Sequence, residues 1–176
     1  MTTRTIDIAE PETLHFGYGD AALGTIVVAE SRRGIAALFI GDDRAKLFHD
    51  LQDAFPEAEF APDPAGLAQT VAKAVALVDA PQRGTDLQLD LRGSAAEIAV
   101  WNALQAIPPG ETRSYGAIAQ SLPIAATAQD IGAACAANRI AVAVPCHRVV
   151  KSDGSISGYR WGVRRKRRLI NMEGVA

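Results

Sequence analysis

The first third of the chain places short apolar bursts between polar turns. Leu14–Tyr18, Gly24–Glu30 and Gly34–Ile40 read as three strands, with "ESRRG" (residues 30–34) turning the chain between the second and third. The spacing then lengthens. Leu47, Leu51 and Phe55 recur every four residues, which predicts a helix capped by Asp42 or Asp43 and stopped by Pro56. A second helix fits Pro64–Val78, and "LQLDL" fits a strand near residue 90.

Beyond residue 93 the period is helical. Ser94 and Glu97 form a capping box, and Ile98, Trp101, Leu104 and Gln105 follow on one face until "IPPGE" breaks the helix. Ser114 caps a short helix bearing Tyr115, Ile118, Ala119 and Leu122, ended by Pro123. Thr127, with Asp130, caps another whose apolar face is Ile131, Ala134 and Cys135 and which ends near Asn138. Two short helices with a four- or five-residue connection fit a helix-turn-helix, although any αα-hairpin gives the same pattern. The second helix, "AATAQDIGAACAAN", is rich in small residues, so its backbone can lie close to a neighbouring helix or enter a narrow groove. Only Gln129 on it is a base-reading residue type, which disfavours sequence-specific regulation. Ala141–Val144 reads as a short buried strand interrupted by Pro145, followed by a turn on Asp153 and Gly154. Val163–Met172 reads as a helix carrying Arg164, Arg165, Lys166, Arg167 and Arg168, whose bland reading is a solvated basic face; Cys135 is expected to be inert core. No repeat or low-complexity segment is visible, and a boundary is expected near residues 92–94, dividing a 1–92 unit from a 93–176 unit.

Composition narrows the class. In 176 residues, 48% of them apolar, a sizeable core is expected, and no apolar run reaches membrane-spanning length. "MTTRTIDIAEPE" has no apolar leader core, so a soluble cytoplasmic protein is expected. Two cysteines give no disulfide framework, and His15, His49 and His147 are too scattered for ligand spacing, so neither a metal nor another cofactor is expected. The net charge of −2 is uneven. Residues 1–112 hold 8 Lys/Arg and 17 Asp/Glu, a sum of −9, whereas residues 113–176 hold 10 and 3, a sum of +7. A basic second half suits contact with a polyanion; mutual attraction of the halves is the plainer alternative.

The candidate chemistry lies in "PCHR". A free thiol, with pKa about 8.5, is mostly protonated at neutral pH, so Cys146 needs a base or a cationic surrounding to act as a nucleophile. His147 can supply the base, directly or through a water, Glu173 is a candidate orienter for the imidazole, and Arg148 adds positive potential. Pro145 lets Cys146 and His147 share a turn, where strand neighbours would point to opposite faces.

"VPCHRVV" followed by "GYRWG", with "VWNALQAIPPGETRSYGAIA" and "ACAAN" upstream, resembles the active-site signature of the O6-alkylguanine-DNA alkyltransferases. The likeness is greatest to the C-terminal half of bacterial adaptive-response methyltransferases. It covers residues 93–176 well and the first 92 more loosely. The resemblance implies a ribonuclease H-like α/β unit followed by a mainly α, winged-helix-like unit with a helix-turn-helix. It implies single-turnover transfer of an alkyl group from guanine O6, and from O4-methylthymine, to Cys146. His147 would be the base through a water, Glu173 its orienter and Asn138 the hinge between recognition helix and active-site turn. Tyr115 would hold or turn out the nucleotide, Tyr159 would wall the pocket, and the backbones of Cys146, Val149 and Arg160 would read the base edge. Ser114, Thr127, Ala128 and Gln129 would meet DNA. The implied partner is double-stranded DNA, entered through the minor groove by a monomer, with the damaged nucleotide flipped and no membrane or cofactor involved. One departure stands out: relatives carry an arginine where this helix has Gln129, which lacks its charge and planar fork, so activity on duplex DNA is expected to be weakened.

Three rival readings differ at the thiol. A non-enzymatic alkylguanine-binding sensor would lack the nucleophile. A helix-turn-helix regulator with a redox-sensing thiol would need a dimer element and a specific site. A thiol-dependent hydrolase would turn over repeatedly.

Overall fold

The computed structural model describes residues 10–174; the leader-free reading of "MTTRTIDIAEPE" falls largely on residues 1–9, outside them. The fold is α/β, with a small mixed sheet and six α-helices among the described residues. Strands β1 (Thr13–Ala21), β2 (Gly24–Ser31) and β3 (Gly34–Gly41) form an antiparallel meander. Strand β4 (Glu59–Pro62) adds to β1 in parallel, giving the order β3-β2-β1-β4. The three strands expected from pattern are present, each slightly longer than the apolar burst that announced it. The fourth was missed because Phe60 is the only large apolar side chain in "EFAP".

Helix α1 (Arg44–Ala54) starts at Asp43, whose carboxylate accepts from Lys46 N at 2.9 Å, and buries Leu47 and Leu51. Helix α2 (Ala68–Asp79) begins four residues later than expected. Asp63 folds the preceding segment into a turn by accepting from Gly66 N at 3.0 Å, and this turn takes the place of a first helical turn at Pro64. The helix lies tight on β1: a Cβ on Gly19 would stand 2.8 Å from Val71 and 2.9 Å from Val75, so only glycine admits this approach.

The expected strand at residues 87–91 does not form. Leu89 makes a single bridge to Ile35, with Ile35 N donating to Gln88 O and Asp90 N to Ile35 O, both at 2.8 Å. Farther along the same edge of β3, Leu38 bonds instead to Arg139 O and Ala141 N, at 2.9 Å each. One strand edge is thus shared by two passing segments, and neither runs along it far enough to become a strand. Across residue 92, Ser31 Oγ donates to buried Asp90 at 2.6 Å, Arg92 bonds Asp90, and Arg92 also grips Glu12 through two bonds of 2.6 and 2.7 Å.

Helix α3 (Ala95–Gln105) has the expected capping box. Trp101 is buried and donates from Nε1 to Ala134 O at 2.9 Å, fixing α3 against the later helix that carries Ala134. Val100, rather than Gln105, completes the buried face; Gln105 sits on the solvent side. A two-residue strand β5 (Arg113–Ser114) leads into α4 (Tyr115–Ser121) and then α5 (Ala128–Ala137), which pack together. Ser114 and Thr127 cap them as read from the sequence, and Leu122 turns extended just before Pro123. The connection is six residues, Leu122–Thr127, slightly longer than expected. Strand β6 (Val149–Val150) pairs in parallel with β5, and α6 spans Val163–Met172. One hydrophobic cluster runs from Leu14 through the sheet to Trp161 and Leu169. No helix among the described residues is long and apolar enough to cross a membrane.

Candidate active site

Residues 138–148 are shaped by a series of tight turns. Asn138 ends α5 in extended geometry, and its side chain is buried. Its Oδ1 accepts from Ile140 N at 2.9 Å, while Nδ2 donates to Val144 O at 3.0 Å and to Cys146 Sγ at 3.3 Å. The expected strand over 141–144 is replaced by turns. Ala143 N donates to Ala141 O at 2.7 Å around Val142, whose φ of +67° is costly for a β-branched residue. Cys146 N donates to Val144 O at 2.8 Å around Pro145, with φ −83° and ψ 61°, an inverse γ-turn. The apolar run was right about burial and wrong about shape, because the edge of β3 accepts only one residue of it.

Cys146, His147 and Arg148 then form a single 3-10 turn, and all three are buried. Sγ faces the Asn138 amide, whereas the imidazole turns toward the end of α6. His147 Nε2 lies 2.8 Å from Glu173 Oε1, and Nδ1 is buried without a protein partner. Arg148 meets the same carboxylate: Nε lies 3.1 Å from both oxygens, Nη2 lies 2.7 Å from Oε1, and Nη1 donates to Ile107 O at 2.8 Å. The guanidinium expected to lend potential to the thiol is thus spent on Glu173.

Burial pushes the Cys146 thiol above its usual range, against the opposing Asn138 bond and the nearby Lys166 and Arg160 cations. Burial likewise pushes the His147 imidazole down, although Glu173 pulls the other way. For Glu173 burial disfavours the charge, but hydrogen bonds from His147 and Arg148 outweigh it and hold the carboxyl at about 2. The resting site is therefore a protonated thiol, a neutral imidazole and an ionised carboxylate.

Cys146 opens onto a cleft of about 610 Å³. Tyr115, Ala128, Gln129, Tyr159 and Arg160 are among the residues that line it. Tyr115 Oη shares a short hydrogen bond with Ser157 Oγ. The Tyr159 ring stands edge-on to Trp161 at 5.3 Å, and its buried hydroxyl has no protein partner. Arg160 donates to Asn138 O at 2.8 Å and lies over Phe39 at 5.1 Å. Asn138, His147 and Glu173 stand behind the cleft. Ser114, Thr127 and Val149 are not among its lining residues: the first two cap α4 and α5, and Val149 is buried in β6 opposite Arg113. Larger grooves lie beside the start of β1 and along α6, but neither contains a thiol.

Cys135 is half-buried against the core, and burial pushes its thiol up to about 12, which keeps it unreactive; it also lines the cleft with Cys146. One expectation is corrected here. The basic run of α6 is not all solvated. Lys166 is 1% exposed, its Nζ lies 3.5 Å from Ser157 Oγ and 3.4 Å from Gly158 O, and it stands 5.9 Å from the Tyr115 ring. The signal was available, since Lys166 precedes Leu169 and Ile170 by three and four residues and so falls on the apolar face. Ser157 and Gly158 had no such signal, being placed by a loop. Among the described residues no cluster of three His, Cys, Asp or Glu is arranged to hold a metal ion.

The fold and this site define an α/β protein with a buried cysteine opening onto a cleft and an imidazole–carboxylate pair behind it. Residues 95–175 match the family model for the DNA-binding domain of 6-O-methylguanine DNA methyltransferase. The chain is 43% identical over 160 residues to the bifunctional transcriptional activator/DNA repair enzyme Ada of Escherichia coli, covering 91% of this chain and 45% of that protein. It is 31% identical over 149 residues to the inducible methylated-DNA–protein-cysteine methyltransferase of Bacillus subtilis, covering 83% of this chain and 82% of that one. It superposes on Mycobacterium tuberculosis OGT in complex with DNA with a TM-score of 0.75 and 32% identity, covering 90% and 92% of the two chains. This chain belongs to the methylated-DNA–protein-cysteine methyltransferase family. It spans about half the length of several curated relatives that it matches.

Proposed function

We propose that the chain repairs DNA by stoichiometric transfer of a methyl or other alkyl group from O6-alkylguanine, and from O4-methylthymine, to Cys146. The observation that carries this reading is the buried thiol of Cys146, open to a cleft beside the small-residue helix α5 and backed by His147 and Glu173. In the reaction the thiol proton passes through a water to His147 Nδ1, and Glu173 stabilises the imidazolium. The Sγ electron pair forms the S–C bond, the C–O6 bond breaks with its pair left on the base, and the base takes up one proton to become guanine. A thioether is a poor leaving group, so each molecule acts once.

Guanine O6 is unreachable inside a stacked duplex, so the nucleotide must be flipped, at a cost of a few kcal/mol. In this reading α4 and α5 act as a helix-turn-helix within a winged-helix-like unit, and α5 enters the minor groove. Ser114, Thr127 and Ala128 meet the backbone there. Tyr115 and Gln129 support the turned-out nucleotide, Tyr159 walls the base, and the backbones of Cys146, Val149 and Arg160 read its edge. Residues 1–92 serve as a ribonuclease H-like structural unit and residues 93–176 as the acceptor unit, working as a cytoplasmic monomer. Incubation with O6-methylguanine duplex followed by intact-mass measurement tests the reaction. A gain of one methyl in wild type and none in Cys146→Ser is expected; unchanged mass with retained DNA binding would leave a lesion sensor instead.

A further inference from the structure

Glu173 is a single carboxylate shared by two basic side chains, and the sharing is unequal. Arg148 makes three contacts of 2.7–3.1 Å to its two oxygens, His147 one of 2.8 Å to Oε1. All three groups are buried, and Arg148 is tied at its other end to Ile107 O. A lone buried carboxylate beside an imidazole would draw a second proton onto the ring, because the pair would otherwise hold an uncompensated charge. Here the guanidinium already supplies that compensation.

We propose that Arg148 is a positioning residue for the proposed transfer: by neutralising Glu173 it keeps His147 uncharged, with Nε2–H donated to the carboxylate and Nδ1 free to accept a proton. The inference rests on the reaction proposed above and assigns a role in it that sequence adjacency did not suggest. The charged groups around the ring are Lys166 from α6, Glu173 just past its end and Arg148 from the ring's own turn, and Cys146 is the neighbouring titratable group. The segment after α3 adds only the Ile107 carbonyl, through Arg148. Burial and Arg148 lower the affinity of the imidazole for a second proton while Glu173 raises it. Removing Arg148 deletes one of the lowering influences and leaves the raising one.

The test is nitrogen NMR of the imidazole in protein labelled at histidine, alongside the pH profile of methyl transfer. In wild type the His147 signals should be those of the neutral ring with the proton on Nε2 at pH 7. An imidazolium at that pH overturns the proposal without any variant. In Arg148→Met the ring should titrate at least about one pH unit higher, and the acid limb of transfer should move up with it, about a tenfold change in the protonation equilibrium. Arg148→Lys, which keeps a charge but loses the fork, should fall between the two and serves if Arg148→Met does not fold. Titration unchanged in the folded variant overturns the role of Arg148 and leaves the transfer reaction standing. Absence of methyl transfer in wild type overturns the reaction, whatever the spectra show.

Discussion

Asn138 Nδ2 donates to Cys146 Sγ at 3.3 Å, so the last residue of α5 and the nucleophile eight positions later are joined by one buried amide. The same amide nitrogen holds Val144 O, and its oxygen holds Ile140 N. A displacement of α5 is therefore transmitted to the thiol through a single side chain.

Asn138→Ala should leave the buried Ile140 N–H unpaired, with Val144 O keeping its bond from Cys146 N, and cost about 1–3 kcal/mol of stability, measured by urea unfolding. Asn138→Asp keeps the shape but sets an acceptor against sulfur. It should slow transfer more than the loss of stability accounts for. Full activity in Asn138→Asp would show that the amide–sulfur contact has no part in the chemistry.

Neither cysteine should behave as a poised thiolate before substrate arrives. Burial raises both thiols. Iodoacetamide labelling of the free protein should be slow at pH 7 and still climbing past pH 9, with Cys135 lagging because its thiol sits at about 12. Lys166→Met removes a buried cation that favours the Cys146 thiolate and should slow labelling further, with little loss of stability. Mass mapping of the modified cysteine after timed quenching provides the readout.

Acid should weaken the fold in two stages. An unfolded histidine takes up a proton as the pH falls past about 6.5, whereas buried His147 resists it, so native stability drops from there. Glu173, held at about 2 in the fold against 4.5 outside it, adds stability that is present above pH 4.5 and lost as the pH falls toward 2. Glu173→Gln should erase the second stage and cost about 3 kcal/mol at pH 7, because Arg148 is left buried beside a neutral group. Denaturant midpoints at pH 8, 5 and 3 separate these effects; equal stability of Glu173→Gln at pH 7 would contradict the buried-pair account.

Gln129 is exposed at the first turn of α5 and lines the cleft. Gln129→Arg should speed transfer from duplex DNA by up to about tenfold, the worth of one charge-assisted contact, while leaving transfer from single strands nearly unchanged. Equal rates of wild type and variant on duplex would show that this position does not limit nucleotide turning.

Much of this was readable from residue order because the signals are local. Ser94, Ser114 and Thr127 cap the helices their side chains announce, and α6 begins and ends as its pattern required. The missed features depend on distant partners. Leu87–Leu91 and Ala141–Val144 carry strand-like residues, yet the first gains only the Leu89 bridge on β3 and the second only follows the bridge at Ile140, a competition that no local window contains. Cys146, His147 and Glu173 were legible through motif and resemblance. The capture of Glu173 by Arg148 was not, since it depends on how the turn at Pro145 aims three consecutive side chains.

The two single-residue bridges on β3 have a further effect. A sheet border with a row of free amides and carbonyls invites another chain to extend it. Here Leu89 and Ile140 occupy one border, and the opposite border is the four-residue β4, closed by Pro62. Neither side offers an uninterrupted ladder, so the meander resists recruiting further strands and the fibrous association that would follow.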